Sequence, residues 1–296
     1  MKTQIPEIKE YFVMMEMDKS PHTVASYERS VDKFFSFLNI QTLQDLEVVT
    51  PLDCRNFQAK LKETLTKSSV NANVRPLKAL FNWLVEQEYL ESSPFNKVKA
   101  LKEGKKIPVF LSEEETHAMI NACQNLLDKM LVVLFISTGL RRNEIAGLKL
   151  DQLKECSIYV AGKGSKEREV FLQDDVCELL KQYLAMRNRK PRNRNSEYLF
   201  VSRNGKNFTG SGILYKIKQI ALQAGIPEER ASAISPHSLR HTFTANMIES
   251  GADIRVIQGA LGHSSLSTTE RYAHLRNSAL QSAMRNQKSI LGDINE

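Results

Sequence analysis

The apolar positions of the first hundred residues recur at helical spacing behind recognisable start signals. Ser20-Pro21 reads as an N-cap followed by a proline in the first turn, and Val24, Tyr27, Val31, Phe34, Phe35 and Leu38 then mark one buried stripe. Thr50-Pro51 repeats the signal ahead of Leu52, Phe57, Leu61 and Leu65. Ser68 or Ser69 opens a further segment through Val70, Val74, Leu77, Leu80, Phe81, Leu84 and Val85, in which Pro76 is expected to kink the helix or begin a later one. With a helix from about Pro6 to Met17, the pattern predicts a bundle of four helices.

The pattern breaks in "SSPFNKVKALKEGKKIPVFLSEEE", which holds Pro94, Gly104, Pro108 and the lysines Lys97, Lys99, Lys102, Lys105 and Lys106. Residues 1–100 are therefore read as one helical domain, 101–107 as a basic linker and 108–296 as a second domain. Ser112 and Glu115 form the capping box of the first helix after the linker. The second part is again mainly helical, apart from "CSIYVAGKGSKEREVFL". Here Ser157–Val160 and Glu169–Leu172 read as strands of a hairpin turning through Gly162-Lys163-Gly164. A further strand is expected at Tyr198–Ser202. Arg187, Arg189, Lys190, Arg192 and Arg194 are expected in a loop around Pro191.

Charge sharpens this division. The chain has 296 residues and a formal net charge of +7, yet residues 1–100 hold 13 basic and 13 acidic side chains, so the whole excess lies downstream. A polyanion handled chemically is expected to meet the second part. No apolar run is long enough to span a bilayer and the N-terminus lacks a secretory signal, which predicts a cytoplasmic protein. Cys54, Cys123, Cys156 and Cys177 show no ligand spacing and are expected to be reduced, mostly buried thiols, with no structural metal.

Three motifs carry chemistry. In "FISTGLRRNEIAGL", Arg141 and Glu144 lie three apart and can share a helical face, although a surface ion pair has the same signature. In "SPHSLRHTFTANM", Ser235-Pro236 starts a helix with His237 in its first turn. His237, Arg240 and His241 share one face, while Leu239, Phe243 and Met247 supply a buried one. In "GADIRVIQGALGHSSLSTTERY", Asp253 caps a short helix through Ile254, Ile257 and Leu261 that ends at Gly262, and His263 follows. Ser267 and Glu270 then cap a helix that carries Tyr272, a residue that in isolation reads as core.

Taken in order, Arg141, Lys163, His237, Arg240, His263 and Tyr272 resemble the catalytic set of the tyrosine recombinases, the phage-integrase and Xer-type site-specific recombinases. The resemblance extends over nearly the whole chain, through "TGLRRNEIAGL", "GKGSKEREV", "PHSLRHTF" and "LGHSSLSTTERYAHL" and a helical N-terminal segment of core-binding type. The family pattern selects Arg141 over Arg142 and Lys163 over Lys166. Thr244 where alanine is common, the doubled Arg141-Arg142, and Pro76 within a helix are departures that remove no catalytic group.

The resemblance implies a mainly α fold, with a four-helix, SAM-like core-binding domain and an α+β catalytic domain bearing a small hairpin. It implies strand exchange between two DNA sites through a 3′-phosphotyrosine and a Holliday junction, without metal or ATP. A phenol suits this reaction because it leaves far more readily than an alcohol, its pKa being near 10. Tyr272 is the implied nucleophile and Lys163 the general acid. Arg141, Arg240 and His263 are the phosphate donors, His237 a proton-transfer or phosphate-holding residue, and Glu144 a support for the site. His241 is expected to play a structural part. Lys97, Lys99, Lys105, Lys106, Lys166 and Arg168 are expected to face DNA. The implied partners are duplex DNA with an inverted-repeat core site and a tetramer formed by this chain alone or with a paralogous recombinase. An accessory protein could license it. The implied roles are dimer resolution in chromosome partition and cell division, or integration and excision of a mobile element. A type IB topoisomerase-like relaxing enzyme and a non-cleaving DNA-binding regulator of the same fold are the alternatives.

Overall fold

Helix starts in this chain are fixed by side-chain oxygens that take the free N–H groups of the first turn. In the computed structural model, which describes residues 4–104, 108–161, 167–189, 191–202 and 204–262, such caps are supplied by Ser20, Thr42, Thr50, Thr66, Ser112, Asn125, Thr209, Ser235 and Asp253. The chain divides into two compact units, residues 1–105 and 106–296.

The first unit contains α1 (Pro6–Asp18), α2 (Pro21–Leu38), α3 (Leu43–Glu47), α4 (Pro51–Lys62) and α5 (Lys67–Glu86). The short α3 was not anticipated. The last helix begins at Thr66, whose hydroxyl takes the Ser69 N–H, rather than at Ser68 or Ser69. Pro76 starts no new helix: it lies buried inside α5. The core packs Phe34 edge-on against Phe57 and Phe81, with ring centroids 5.1 and 6.0 Å apart. Phe95, from the turn Pro94–Lys97 after the helices, closes this cluster. Gln58 then donates to the Lys99 carbonyl at 3.1 Å, and Asn71 brackets Leu101 by donating to its carbonyl and accepting its N–H, each at 2.9 Å. The segment leaving the bundle is thus pinned along it, with Lys97 and Lys99 exposed.

The second unit runs α6 (Glu113–Asn121), α7 (Leu126–Thr138), α8 (Arg142–Ala146), β1 (Ser157–Ala161), β2 (Glu167–Phe171), α9 (Asp174–Asn188), α10 (Pro191–Arg194), α11 (Gly210–Gln223), α12 (Glu228–Ala233), α13 (Pro236–Glu249) and α14 (Ile254–Leu261). Helix α7, apolar almost throughout, is the centre of this core: Met130, Leu131, Val132, Leu134 and Phe135 are buried against α9 and α13. The two strands pair antiparallel, with Ile158 opposite Val170 and Val160 opposite Arg168.

Three expectations are corrected in this unit. Residues 198–202 form no strand, only isolated bridges from Tyr198 to Lys149 and from Val201 to Asn207. Their hydrogen bonds go elsewhere: the Leu199 N–H binds the Leu148 carbonyl, and the carbonyls of Tyr198 and Leu199 are taken by Arg187. Arg187 itself is not a loop residue. It lies in α9, fully buried, with its guanidinium also on the carbonyl of Ser196 at 2.8 Å. Finally, Cys156 and Cys177 are joined as a disulfide, 21 residues apart in sequence and 5.5 Å apart between Cα atoms. The folding of the hairpin onto α9 makes this pairing, which sequence spacing alone does not reveal. Cys54 and Cys123 remain thiols, as expected, and burial raises them to about 12 and about 11, which leaves them protonated and inert. No described helix is long and apolar enough to cross a membrane.

Candidate active site

Two helix ends build the site. Helix α7 stops at Gly139 and α14 at Gly262, both in the left-handed region with φ near +60°, where glycine carries no Cβ penalty. Each turn bares carbonyls that the helix leaves unpaired, at the negative end of its dipole.

Three arginines from distant parts of the chain meet these carbonyls. Arg168 Nε donates to Ala260 O at 3.0 Å, Arg240 Nη2 to Leu261 O at 2.8 Å, and Arg141 Nη2 to Gly262 O at 2.8 Å. The other terminal nitrogen of Arg240 binds the carbonyl of Gly139. Arg240 is 5% exposed, so the buried cation sits between two helix C-termini, which offset part of its desolvation.

Glu144 joins two of these cations. Arg141 is the N-cap of α8 rather than a residue within it, and Glu144 sits at the third helical position. Its Oε2 takes the Arg141 backbone N–H at 2.7 Å while its Oε1 takes the guanidinium at 2.9 Å. The same carboxylate receives Arg168 at 3.1 and 2.7 Å. Burial works to raise the Glu144 carboxyl, but the hydrogen bonds from Arg168 and Arg141 and the Arg168 charge outweigh it and hold it below its ordinary value. Glu144 is therefore ionised at neutral pH.

Arg168 departs from its expected role. Its side chain is spent on Glu144 and Ala260 rather than turned outward to DNA, because it shares the inward face of β2 with Val170.

Helix α13 supplies the remaining described groups. Ser235 Oγ takes the Ser238 N–H and Ser238 Oγ the Ser235 N–H, which fixes the first turn where His237 stands. His237 is partly open to solvent and partly packed, with its ring 6.3 Å from that of His241. Partial burial, then the charges of Arg240, Arg142 and Arg141, lower its pKa below the ordinary histidine value. The imidazole is thus neutral at pH 7. Thr244 bonds back to the Arg240 carbonyl at 3.0 Å, and Leu239 and Phe243 are buried as expected, although Phe243 packs with Ile248, Ile257 and Leu261 rather than with Leu239.

Arg141, Glu144, His237 and Arg240 are brought together in this way. Lys105, Lys106, Lys163, Lys166, Lys190, His263 and Tyr272, with the Ser267–Glu270 cap, lie outside the described residues. Lys163 falls in the five residues between β1 and β2, and His263 immediately follows Gly262.

Residues 109–279 match the Phage integrase family, and residues 8–88 match its N-terminal SAM-like domain. The chain belongs to the phage integrase family. Within it the chain is a Xer-like tyrosine recombinase. It is 33% identical over 283 residues to the tyrosine recombinase XerC of Staphylococcus saprophyticus, covering 92% of this chain and 93% of that one. Among solved structures, that of XerA recombinase is 30% identical, with a TM-score of 0.55 over 96% of this recombinase and 97% of the other. XerH site-specific recombinase bound to difH substrate in a pre-cleavage complex is 25% identical, with a TM-score of 0.69 over 88% and 78% of the two chains. Site-specific recombination is accordingly the activity of this enzyme, and its mainly helical fold with one small hairpin is that of its relatives.

Proposed function

We propose that this recombinase cleaves and rejoins duplex DNA at a specific core site through a phosphotyrosine formed on Tyr272. The observation that carries the reading is the convergence of Arg141 and Arg240 on the carbonyls of Leu261 and Gly262, immediately before His263. Guanidiniums are permanently charged and match the oxygens of a phosphate in a bidentate fork, which suits two of them held at one helix end to that group.

In the reaction the Tyr272 phenol oxygen attacks phosphorus and gives its proton to neutral His237 or to solvent. The bond from phosphorus to the 5′ oxygen breaks, and Lys163 protonates that oxygen as it leaves. Arg141, Arg240 and His263 meet the charge that builds on the pentacoordinate phosphorus, each donor contributing about 2.7–4 kcal/mol by analogy with oxyanion-hole deletions. The bond energy stays in the phosphotyrosine, and attack by the 5′ hydroxyl of a partner strand reverses the chemistry. These side chains supply the acid, nucleophile and charge stabilisation.

The wider assembly follows the same reading. The N-terminal bundle and the C-terminal unit each contact the duplex, and the lysines Lys97, Lys99, Lys105 and Lys106 contribute their charge to phosphate binding. Four protomers, of this chain alone or with a paralogue, pair two inverted-repeat sites and exchange strands through a Holliday junction. The tail with Leu280, Met284, Ile290 and Leu291 packs on a neighbouring copy. An apolar groove of about 770 Å³ lined by Val133, Ile136, Leu179 and Met247 is a surface suited to it. The cytoplasm is the proposed compartment, and resolution of dimers or integration of a mobile element the proposed context.

A duplex nicked near its core site, which loses a short fragment after cleavage, traps the covalent complex. The wild-type enzyme is expected to accumulate it in the presence of EDTA, and Tyr272→Phe to form none. A covalent complex with Tyr272→Phe overturns the nucleophile, and a strict magnesium requirement overturns the proposed chemistry. Relaxation of supercoiled plasmid that lacks any core site points instead to a topoisomerase.

A further inference from the structure

Arg168 makes more polar contacts inside the protein than a residue reserved for DNA would. Its three nitrogens engage Ala260 O, Glu144 Oε1 and Glu144 Oε2 at 3.0, 3.1 and 2.7 Å, and its side chain is 11% exposed. A Cβ added to Gly262 would lie 3.1 Å from its Nη1, so the guanidinium also fills the space beside the α14 end. The fork-to-carboxylate geometry is the planar bidentate one that lysine cannot reproduce.

The place of Arg168 on the hairpin gives these contacts a purpose. It pairs with Val160, one step from the Ala161–Glu167 pair that closes the described ladder. Beyond that pair come residues 162–166, among them Lys163. Deeper in the hairpin, Ile158 and Val170 anchor it in the apolar core. Near the turn the polar tether is Arg168, clamped to α8 through Glu144 and to α14 through Ala260.

We propose that Arg168 is a positioning residue for Lys163: it ties the end of the β1–β2 ladder, from which the segment with Lys163 continues, to Glu144 of α8 and Ala260 of α14. The proposal rests on the reading of Lys163 as the general acid. Its action is directed at the hairpin rather than at Arg141, because Arg141 has bonds of its own to Glu144 and Gly262 that do not run through Arg168.

The test compares the variants on two substrates, ordinary DNA and DNA with sulfur in place of the bridging 5′ oxygen at the scissile phosphate. A thiolate departs without being protonated, so the sulfur substrate does not need a general acid. Rates are read as single-turnover time constants on prebound DNA, because an unfolded fraction lowers the amplitude and not the rate. Arg168→Ala is expected to cleave ordinary DNA about 10- to 100-fold more slowly than wild type and Arg168→Lys to fall between them. Sulfur is expected to restore both to near the wild-type rate, as it restores Lys163→Ala. The dependence of DNA affinity on salt is expected to keep its slope.

Three results overturn the proposal: a wild-type rate for Arg168→Ala on ordinary DNA, failure of sulfur to restore Arg168→Ala while it restores Lys163→Ala, or a salt slope reduced by about one, the mark of a lost phosphate contact. Failure of sulfur to restore Lys163→Ala overturns the general-acid reading itself, and the proposal for Arg168 falls with it.

Discussion

Arg141 and Glu144 are bound to each other twice, through the Arg141 backbone N–H to one carboxylate oxygen at 2.7 Å and through its guanidinium to the other at 2.9 Å. The first bond starts α8; the second fixes the rotamer of a cation that the mechanism needs at a phosphate. Helix start and side-chain orientation are thereby the same interaction, although arginine, lacking an acceptor, cannot return the bond as a serine cap would.

Replacing Glu144 by glutamine keeps the size of the side chain and removes its charge. Charge-assisted bonds are worth about 1.5–3 kcal/mol, so Glu144→Gln is expected to slow single-turnover cleavage roughly 10- to 100-fold. DNA affinity is expected to hold or to rise, since a negative charge has been removed beside the phosphate. A gel-shift titration together with covalent-complex kinetics separates the two effects. Loss of affinity in proportion to rate would show that Glu144 supports the fold rather than the orientation of Arg141.

His237 gives a pH dependence. Its folded-state pKa lies below the unfolded value of 6.5, first through burial and then through the charges of Arg240, Arg142 and Arg141. Between the two pKa values the unfolded chain binds a proton that the folded chain refuses. Stability is therefore full above about pH 6.5 and falls as pH drops through that window, reaching its floor below the folded pKa. Denaturant midpoints measured from pH 7.5 to 5 are expected to show a shallower decline in His237→Gln than in wild type. The imidazole resonances of the free enzyme are expected to titrate below 6.5, where the acid limb of kcat/KM also belongs.

The local frames of the described candidate residues were legible because most of them lie in or beside helices whose starts and stops follow local rules. Ser235-Pro236 and Asp253 begin α13 and α14, and Gly262 ends α14, so the frames of His237 and Arg240 and the turn before His263 could be read from spacing. Arg168 was misread because a basic residue after a GKG turn suits a DNA contact equally well. The period-two alternation that turns Val170 inward also turns Arg168 inward, and this signal was available. Arg187 and the Cys156–Cys177 pair were hidden for another reason. Both depend on how α9 docks against segments 9 to 21 residues away, and nothing in the local pattern encodes that.

Arg187 also supports a stability prediction. It is fully buried without a carboxylate partner among its hydrogen bonds, and it donates to the carbonyls of Ser196, Tyr198 and Leu199 and to the Asn188 side chain. Arg187→Met fills similar space, removes the side-chain donor from the carbonyls of Ser196 and Tyr198 and leaves Leu199 O with the Tyr183 hydroxyl alone, at a cost of about 3–5 kcal/mol. The melting temperature of the C-terminal unit is expected to fall by roughly 10 °C. The covalent-complex rate at low temperature is expected to be unchanged, because none of these partners belongs to the site. A melting point within 2 °C of wild type, on the order of a surface change, would mean that the carbonyls find water or other donors.

Gly139 joins stability to chemistry at one backbone position. Its φ of +59° strains any residue with a Cβ, and an added Cβ would overlap the Phe243 ring and lie 2.9 Å from Leu261 Cδ2. Its carbonyl holds one end of the Arg240 guanidinium. Gly139→Ala is expected to cost about 2–4 kcal/mol from overpacking and backbone strain together. It is also expected to push α13 and α14 apart where Phe243 and Leu261 meet, moving Arg240 away from Leu261 O. Cleavage is therefore expected to slow about 100-fold, as for a displacement near 1 Å at a reacting centre, even at temperatures where the variant remains folded. A second change that shortens the ring, Phe243→Leu, is expected to recover part of both losses. Recovery of stability without recovery of rate would show that Gly139 acts on the fold alone and that Arg240 is placed by other contacts.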